Sequence, residues 1–490
     1  MIRDEELDAL LRTAPWMSED GRKADRYARV DHAELGSAAL LLVVAAVGGP
    51  ASGRRFFVPV DLRGGRDEPR EAHAVDEFHT AAVLRTLAGG TLRTARGGAV
   101  EFRGAGGGVR EVRRLPFERG WSSNALSLME IGGVPHIHKT YRCLDDGVRE
   151  PDLLRLMNGT GRTPQWAGDY AYVDPASGTR HPLGVVYRYA PGDGIDVPLR
   201  QNLRSLWPAL SRLLKDGAPE SVARRHLRPL EDQLREAGRF LRGFHTDLAD
   251  RLGDGTPQPA YPAAEQLAQA EHRLAELHGR TTADPALPAR AVRRAFHAMN
   301  AEVAALRAEL ERPGASWTGG GPCHGDLHLS HLLWHPPALI DLSTPSTAPT
   351  APGWPAQSPL EDVVALQRGL EYFAADEAAF EAAGRLEVDS LETMLGSLDG
   401  APHLPAAQQD VLRQVFAVAD HWRERVRELL LGPASDGPLR RLLYLRRLLH
   451  ELAYNHAHTR PYHAAIDLRH ALRLGEGGRG AHREPEDVRP

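Results

Sequence analysis

Between Val134 and Tyr141 the chain alternates, with Val134, His136, His138 and Thr140 on one side and Pro135, Ile137, Lys139 and Tyr141 on the other. This period of two predicts a β-strand. Just upstream, Arg119 to Gly133 (RGWSSNALSLMEIGG) predicts another strand, turning at Gly132-Gly133 into the first. Ala38–Val47 is an unbroken apolar run of about ten residues, half of the roughly 20 needed to cross a bilayer, so it predicts a buried strand; Arg54-Arg55 then resumes a strand pattern. Arg440–Leu452 (RRLLYLRRLLHEL) predicts a helix whose arginines form a solvated face. Glycine and proline punctuation marks boundaries at Gly104–Gly108 and Pro191–Gly194. From Gly475 onward only Gly, Pro and charge remain, which predicts a disordered tail.

Composition changes this picture by exclusion. The chain has 490 residues, room for roughly two to four domains of about 150 residues. With 42% hydrophobic and 26% charged residues it can build a core. A net charge of −5 without basic stripes excludes nucleic acid as the expected partner. Cys143 and Cys323 form no pattern, and the acidic start MIRDEELDALLRTAPW does not read as a signal peptide. A cytoplasmic monomer with no membrane partner is therefore expected.

The candidate chemistry sits in Pro322–Trp334 (PCHGDLHLSHLLW) and the following ALIDLSTP, Ala338–Pro345. An Asp at the mouth of a tight loop can orient or deprotonate an attacking hydroxyl, and a second Asp on the next strand can hold the magnesium that bridges the phosphates of ATP. Asp326 takes the first role and Asp341 the second, brought together by a hairpin of the apolar LLW and ALID runs. A zinc cluster is the alternative, since His324 and His328, and His331 and His335, are each four apart beside Cys323. Gly325 and Leu327 place the run in a loop, however, and Pro336-Pro337 stops a helix. Phosphotransfer also needs a cation on the nucleotide. Of 60 Lys plus Arg, only Lys23, Lys139 and Lys215 are lysines. An ammonium and a guanidinium are not interchangeable at a phosphate, so Lys139 at a strand centre stands out. Ser122, Ser123 and Asn124 supply small polar residues for a phosphate-covering loop. Ser343–Pro359 is rich in Pro and small residues, where Trp354 would serve as an apolar lid over the acceptor.

These motifs resemble the actinobacterial maltokinases and the related glucosamine kinases of the aminoglycoside phosphotransferase-like superfamily. The loop from Asp326 resembles their H-G-D-x-x-x-x-N motif, and the Ser122–Asn124 loop their E-Q-S-N-T-S. VVYRYAPGDGID (Val185–Asp196) resembles the hinge, with Val186 and Tyr187 as nucleotide contacts. AVDEFHTAAVLRTLAG is helix-like, and LREAGRFLRGFHTDLADRL (Leu234–Leu252) resembles the helix carrying His245. SPLEDVVALQRGLEYFAADE (Ser358–Glu377) resembles the family's S-P-L-x-D-V helix, and HELAYNHAHTRPYH (His450–His463) its last helix. The resemblance implies an α+β, bilobal, eukaryotic-protein-kinase-like fold. Residues 1–110 would form an N-terminal α/β cap, 111–190 the nucleotide-binding lobe, 191–475 a mostly helical lobe and 476–490 the tail. It implies a kinase using ATP and Mg2+ on a hydroxyl of a sugar or amino sugar, with Arg368, Glu371, Tyr372, Glu451, Tyr454 and Asn455 joining Asp326 at the acceptor.

This chain departs from the pattern at four positions. Leu154 stands where the family Glu pairs with the Lys, leaving Glu150 or Asp152 as substitute. His331 replaces the loop Asn, Ser343 the second metal carboxylate, and Asn455 a Glu. Imidazole and hydroxyl can contact magnesium or its waters, though hard cations prefer carboxylate oxygen. Two readings stay open: a divergent kinase, with glucosamine favoured over maltose because a free amine suits carboxylates, and a weakly active or binding-only relative.

Overall fold

The computed structural model describes residues 2–61, 71–106, 111–117, 124–144, 147–215, 217–252, 261–312, 317, 320–342, 357–433 and 437–474. Ser122, Ser123, Ser343, Trp354 and the tail lie outside these residues. The chain divides into two compact units, Met1–Pro191 with Ala338–Thr350, and Gly192–Pro337 with Ala351–Pro490.

The first unit is built on two sheets. β1 (Arg26–Leu35), β2 (Ala39–Val47) and β3 (Arg55–Asp61) form an antiparallel meander preceded by helices α1 (Asp4–Thr13) and α2 (Glu19–Arg22). β2 is apolar throughout because both of its faces are covered, which a strand with one wet face would not need. Leu40, Leu42 and Val44 pack with Leu7, Leu11 and Tyr27, whereas Leu41 and Val43 pack with Phe78, Phe102 and Tyr170. The second sheet has seven strands: β4 (Gly90–Arg93), β5 (Ala99–Gly104), β6 (Val112–Leu115), β7 (Ala125–Ile131), β8 (Val134–Thr140), β9 (Trp166–Val173) and β10 (Arg180–Arg188), ordered β4-β5-β9-β10-β8-β7-β6. Strands from both sides of residue 110 share this sheet, so a boundary there falls inside one layer. Helix α3 (Asp76–Ala88) packs on β5, β6 and β9, and α4 (Glu150–Leu156) follows β8. The β7–β8 turn uses Gly132 at φ +57° and Gly133 at φ +81°, a left-handed pair that only glycine takes at little cost.

The second unit is helical: α5 (Asp196–Leu206), α6 (Leu210–Leu213), α7 (Pro219–Leu227), α8 (Glu231–Leu252), α9 (Ala263–Thr282), α10 (Ala289–Leu310), α11 (Pro359–Leu386), α12 (Ser390–Asp399), α13 (Ala406–Leu431), α14 (Pro438–Ala457) and α15 (Pro461–Arg473). α13 packs against α7, α8 and α11, while α9, α10, α14 and α15 pack on one another. α11 starts at a Ser358 N-cap, whose Oγ accepts from the Leu360 N–H at 3.2 Å, followed by Pro359 and two acids in the first turn. One expectation is corrected here: HELAYNHAHTRPYH is not one helix but the junction of α14 and α15. Thr459 turns left-handed at φ +53°, and Pro461, lacking an N–H, opens the next helix. Among the described residues no helix is long and apolar enough to cross a membrane.

Candidate active site

Lys139 lies in the middle of β8, opposite Leu126 on β7 and Val185 on β10, and is almost fully buried. Its ammonium meets Glu150, the first residue of α4, at 2.7 Å, and pairs with Asp341. Burial works against the lysine's charge, but the two carboxylates outweigh it and raise its pKa, so Lys139 stays protonated. Tyr141 donates from its hydroxyl to Glu150 Oε2 at 2.7 Å. The other oxygen, Oε1, is buried without a partner. Asp341 adopts φ +57°, a left-handed conformation that Asp tolerates better than most residues, and its side chain remains 41% exposed. Glu150, and not Asp152, is thus the acid at the lysine; Asp152 pairs with Arg155 at 2.8 Å. The pairing register places Tyr187 on the same face of the sheet as Lys139. Val186 faces the other way, packed with Val83 and Met129, and is not brought to this cluster. Asn124 leads into β7.

In the helical unit, the loop His324–His331 is pinned by one buried carboxylate. Asp362, in the first turn of α11, accepts from the backbone N–H of His324 at 2.7 Å, from that of Gly325 at 2.9 Å and from His245 Nε2 of α8 at 2.8 Å. Burial raises the cost of its charge, but His245, His324 and the Gly325 N–H outweigh it and lower its pKa. Leu327 and Leu329 anchor the loop in the core. Asp326 sits at the bend, its side chain 43% exposed, and accepts from His328 Nε2 at 3.1 Å. Burial pushes its carboxyl up, yet the bond and charge of His328, with Arg447 and His331, hold it down at about 2. His331 closes a short 3-10 turn, Leu329–His331, and its Nδ1 donates to the Asp326 carbonyl at 3.1 Å. That bond puts the ring proton on Nδ1 and the lone pair on Nε2.

Four of the expected acceptor residues, Glu371, Tyr372, Glu451 and Asn455, converge with Arg368 in one network, and Arg368, 1% exposed, is its hub. Its Nη1 meets Glu371, its Nε meets Glu451 at 2.8 Å and its Nη2 meets Asp467 of α15 at 2.6 Å. Tyr372 donates to Asp467 at 2.6 Å, and Asn455 donates to Asp467 and Tyr372 at 2.9 Å each. Burial pushes Asp467 up to about 7 against the pull of Arg368, with Glu451 adding to the rise. Tyr454 is not part of this network: it is 45% exposed, under Arg460 and beside His458. Near the loop lies a cavity of about 400 Å3, walled by His328 and Ser330, by Asp196 of α5, and by Tyr372, Phe373 and Asp376 of α11. Sequence reasoning missed Asp362, Asp467, Asp196 and Asp376. Asp467 carried a signal, a lone acid among Ala464, Ala465, Ile466 and Leu468 on a buried face. Among the described residues no group of three or more His, Cys, Asp or Glu is placed to hold a metal ion.

Residues 194–351, which include Asp326, His331 and Asp341, match the model of the phosphotransferase enzyme family, APH. No curated protein matches the chain in sequence. Among solved structures, a crystal form of a glucosamine kinase matches at 18% identity and TM-score 0.55, over 94% of this chain and 97% of that one. A glucosamine kinase in complex with glucosamine, ADP and inorganic phosphate matches at 17% identity and TM-score 0.53, over 95% and 97%. At such identities the likeness establishes the fold, an α+β kinase-like one with an antiparallel sheet and a large helical portion.

Proposed function

We propose that the protein is an ATP-dependent kinase that phosphorylates a hydroxyl of a sugar or amino sugar, with glucosamine, giving glucosamine 6-phosphate, as the first acceptor to test. The acceptor oxygen would bond to the γ-phosphorus as the bond from that phosphorus to the β-phosphate oxygen breaks, releasing ADP. The hydroxyl proton passes to Asp326. A carboxylate with a pKa of about 2 is a weak base, so Asp326 acts chiefly by orienting the hydroxyl and takes the proton late. Lys139 contributes its charge to the nucleotide phosphates. Tyr187 shares its sheet face, and Asn124 with Ser122 and Ser123 would belong to the covering loop. The half-exposed Asp341 offers hard oxygen donors that fit magnesium, with Nε2 of His331 a softer contributor and Ser343 a further one. When bound, magnesium supplies charge neutralisation on the phosphates.

The single observation that carries the acceptor class is the cavity beside Asp326's partner His328, where carboxylates Asp196 and Asp376 stand with aromatic Tyr372 and Phe373, and where the one arginine among the described residues of the wall, Arg200, is paired with Glu377 at 2.8 Å. Aromatic faces suit a sugar ring and carboxylates suit an ammonium. Arg368, Glu371, Glu451 and Asn455 would hold Tyr372 in place, and Tyr454 would contribute from the rim. A kinase of the same fold holding glucosamine, ADP and inorganic phosphate supports nucleotide use. The test is ATP consumption, with mass spectrometry of products, across glucosamine, glucose, maltose and aminoglycosides. Phosphorylated glucosamine is expected; phosphorylation of maltose alone would favour a maltokinase, and no phosphorylated product from any acceptor would leave a binding protein.

A further inference from the structure

We propose that the helical unit carries a second site, an anion site that takes a phosphate group, either as inorganic phosphate or on a small phosphomonoester. It does not depend on the kinase reading. A cavity of about 260 Å3, sharing no wall residue with the acceptor cavity, is enclosed by α11, α13, α14 and α15. Its charge is one-sided: Arg423, Arg427, Arg440, Arg441 and Arg473 face only Glu371 and Glu424. Guanidinium groups are the side chains best shaped for bidentate contact with phosphate.

Two of these arginines are held in place from behind: Arg441 is clamped by Glu302 at 2.7 Å and Glu309 at 2.6 Å, and Arg473 by Asp420. Arg427 pairs with Glu424, on the wall itself, at 2.6 Å. Arg440 donates to the neutral Gln367. Arg423 donates to Nδ1 of His470 at 3.2 Å. A guanidinium only donates, so that nitrogen accepts and the imidazole proton resides on Nε2. The ring is 2% exposed, and Nε2 has no hydrogen-bond partner; neither has Nε of Arg423. Burial, together with Arg423, Arg368 and Arg473, keeps the imidazole neutral, so it remains a donor at Nε2 without adding charge. Two residues of the wall, Arg423 and His470, thus each carry a buried donor without a partner, and the complement of such donors among arginines is an anion rich in acceptors. The volume suits a small ligand, below the usual range for drug-sized pockets.

The test is calorimetric titration of the full chain with inorganic phosphate and, separately, with glucose 6-phosphate. Saturating magnesium and a non-hydrolysable ATP analogue are present throughout, with chloride at matched ionic strength as control. Saturable binding of at least one anion is expected, and whichever binds more tightly identifies the source. Arg440→Gln should weaken it by about tenfold, the loss of one charge-assisted contact. Glu424→Gln, which removes an exposed carboxylate from the wall, should tighten it several-fold and serves should Arg440→Gln misfold. Absence of binding by both anions, or affinities unchanged in both variants, overturns the proposal.

Discussion

Lys139 in the sheet unit and Arg368 in the helical unit are both buried cations ringed by acids, but they are built for different ends. Lys139 presents one ammonium to Glu150 and Asp341, and Asp341 is still 41% exposed. Arg368 commits a separate nitrogen to each of Glu371, Glu451 and Asp467, none of them freely solvated. A compact ammonium on a flexible stem can turn from a carboxylate to a phosphate without dismantling its surroundings, whereas a planar fork held on three sides cannot. On the proposed function Lys139 is a charge available for chemistry, whereas Arg368 fixes the positions of the acids around it. Arg368 bears on the cavity of about 400 Å3 through Asp467 and Tyr372, a residue of its wall.

The largest effect that would break this contrast is on stability. Arg368→Met leaves three acids without their cation and should cost about 3–5 kcal/mol in urea unfolding. Arg368→Lys should recover less than half of that, because one ammonium cannot meet acids placed at Nε, Nη1 and Nη2. Full recovery by lysine would mean the fork geometry is irrelevant. Next in size, Lys139→Met should lower kcat by about 10²–10³-fold on the acceptor found in the panel. Pairing it with Glu150→Gln should restore stability, since the buried carboxylate no longer lacks a partner, while leaving turnover low. Recovery of turnover in the double variant would remove Lys139 from the phosphates.

The smallest effect concerns Asp326. With its carboxyl held at about 2, it is ionised throughout the usual assay range, so its own titration gives no acid limb near neutrality. His328→Gln removes the strongest of the groups holding it down, and the folded pKa should rise toward the ordinary Asp value of about 3.9. Activity should then be lost at a higher pH on the acid side of kcat/KM, with kcat at neutral pH reduced only a few-fold. An acid limb that does not move would show that His328 does not set the ionisation of Asp326.

Much of this was legible in the chain. The alternation around Lys139, the scarcity of lysine and the run of apolar residues in β2 all appear as local pattern, because side-chain period and burial on one or two faces are written into neighbouring residues. Asp326 and Asp341 stood out for a different reason, as an acid at the mouth of a tight loop followed by a second on the next apolar run. The choice between Glu150 and Asp152 was not legible. The two differ by two positions, and only the direction of α4 sends one inward to Lys139 and the other out to Arg155. The break at Thr459 was legible in part, because Pro461 cannot continue a helix; the left-handed turn at Thr459 was not.

The sequence by itself pointed to the fold class through the resemblance of its motifs to a known family, and to the strands and the residues able to carry charge through short-range periodicity and composition. Tertiary structure alone decided which acid answers which base. Asp362 lies 38 residues beyond His324, and Asp467 lies 99 beyond Arg368, so no local spacing could have joined them. A buried charge persists only where partners from distant segments converge on it, and that convergence exists only once the helices have packed.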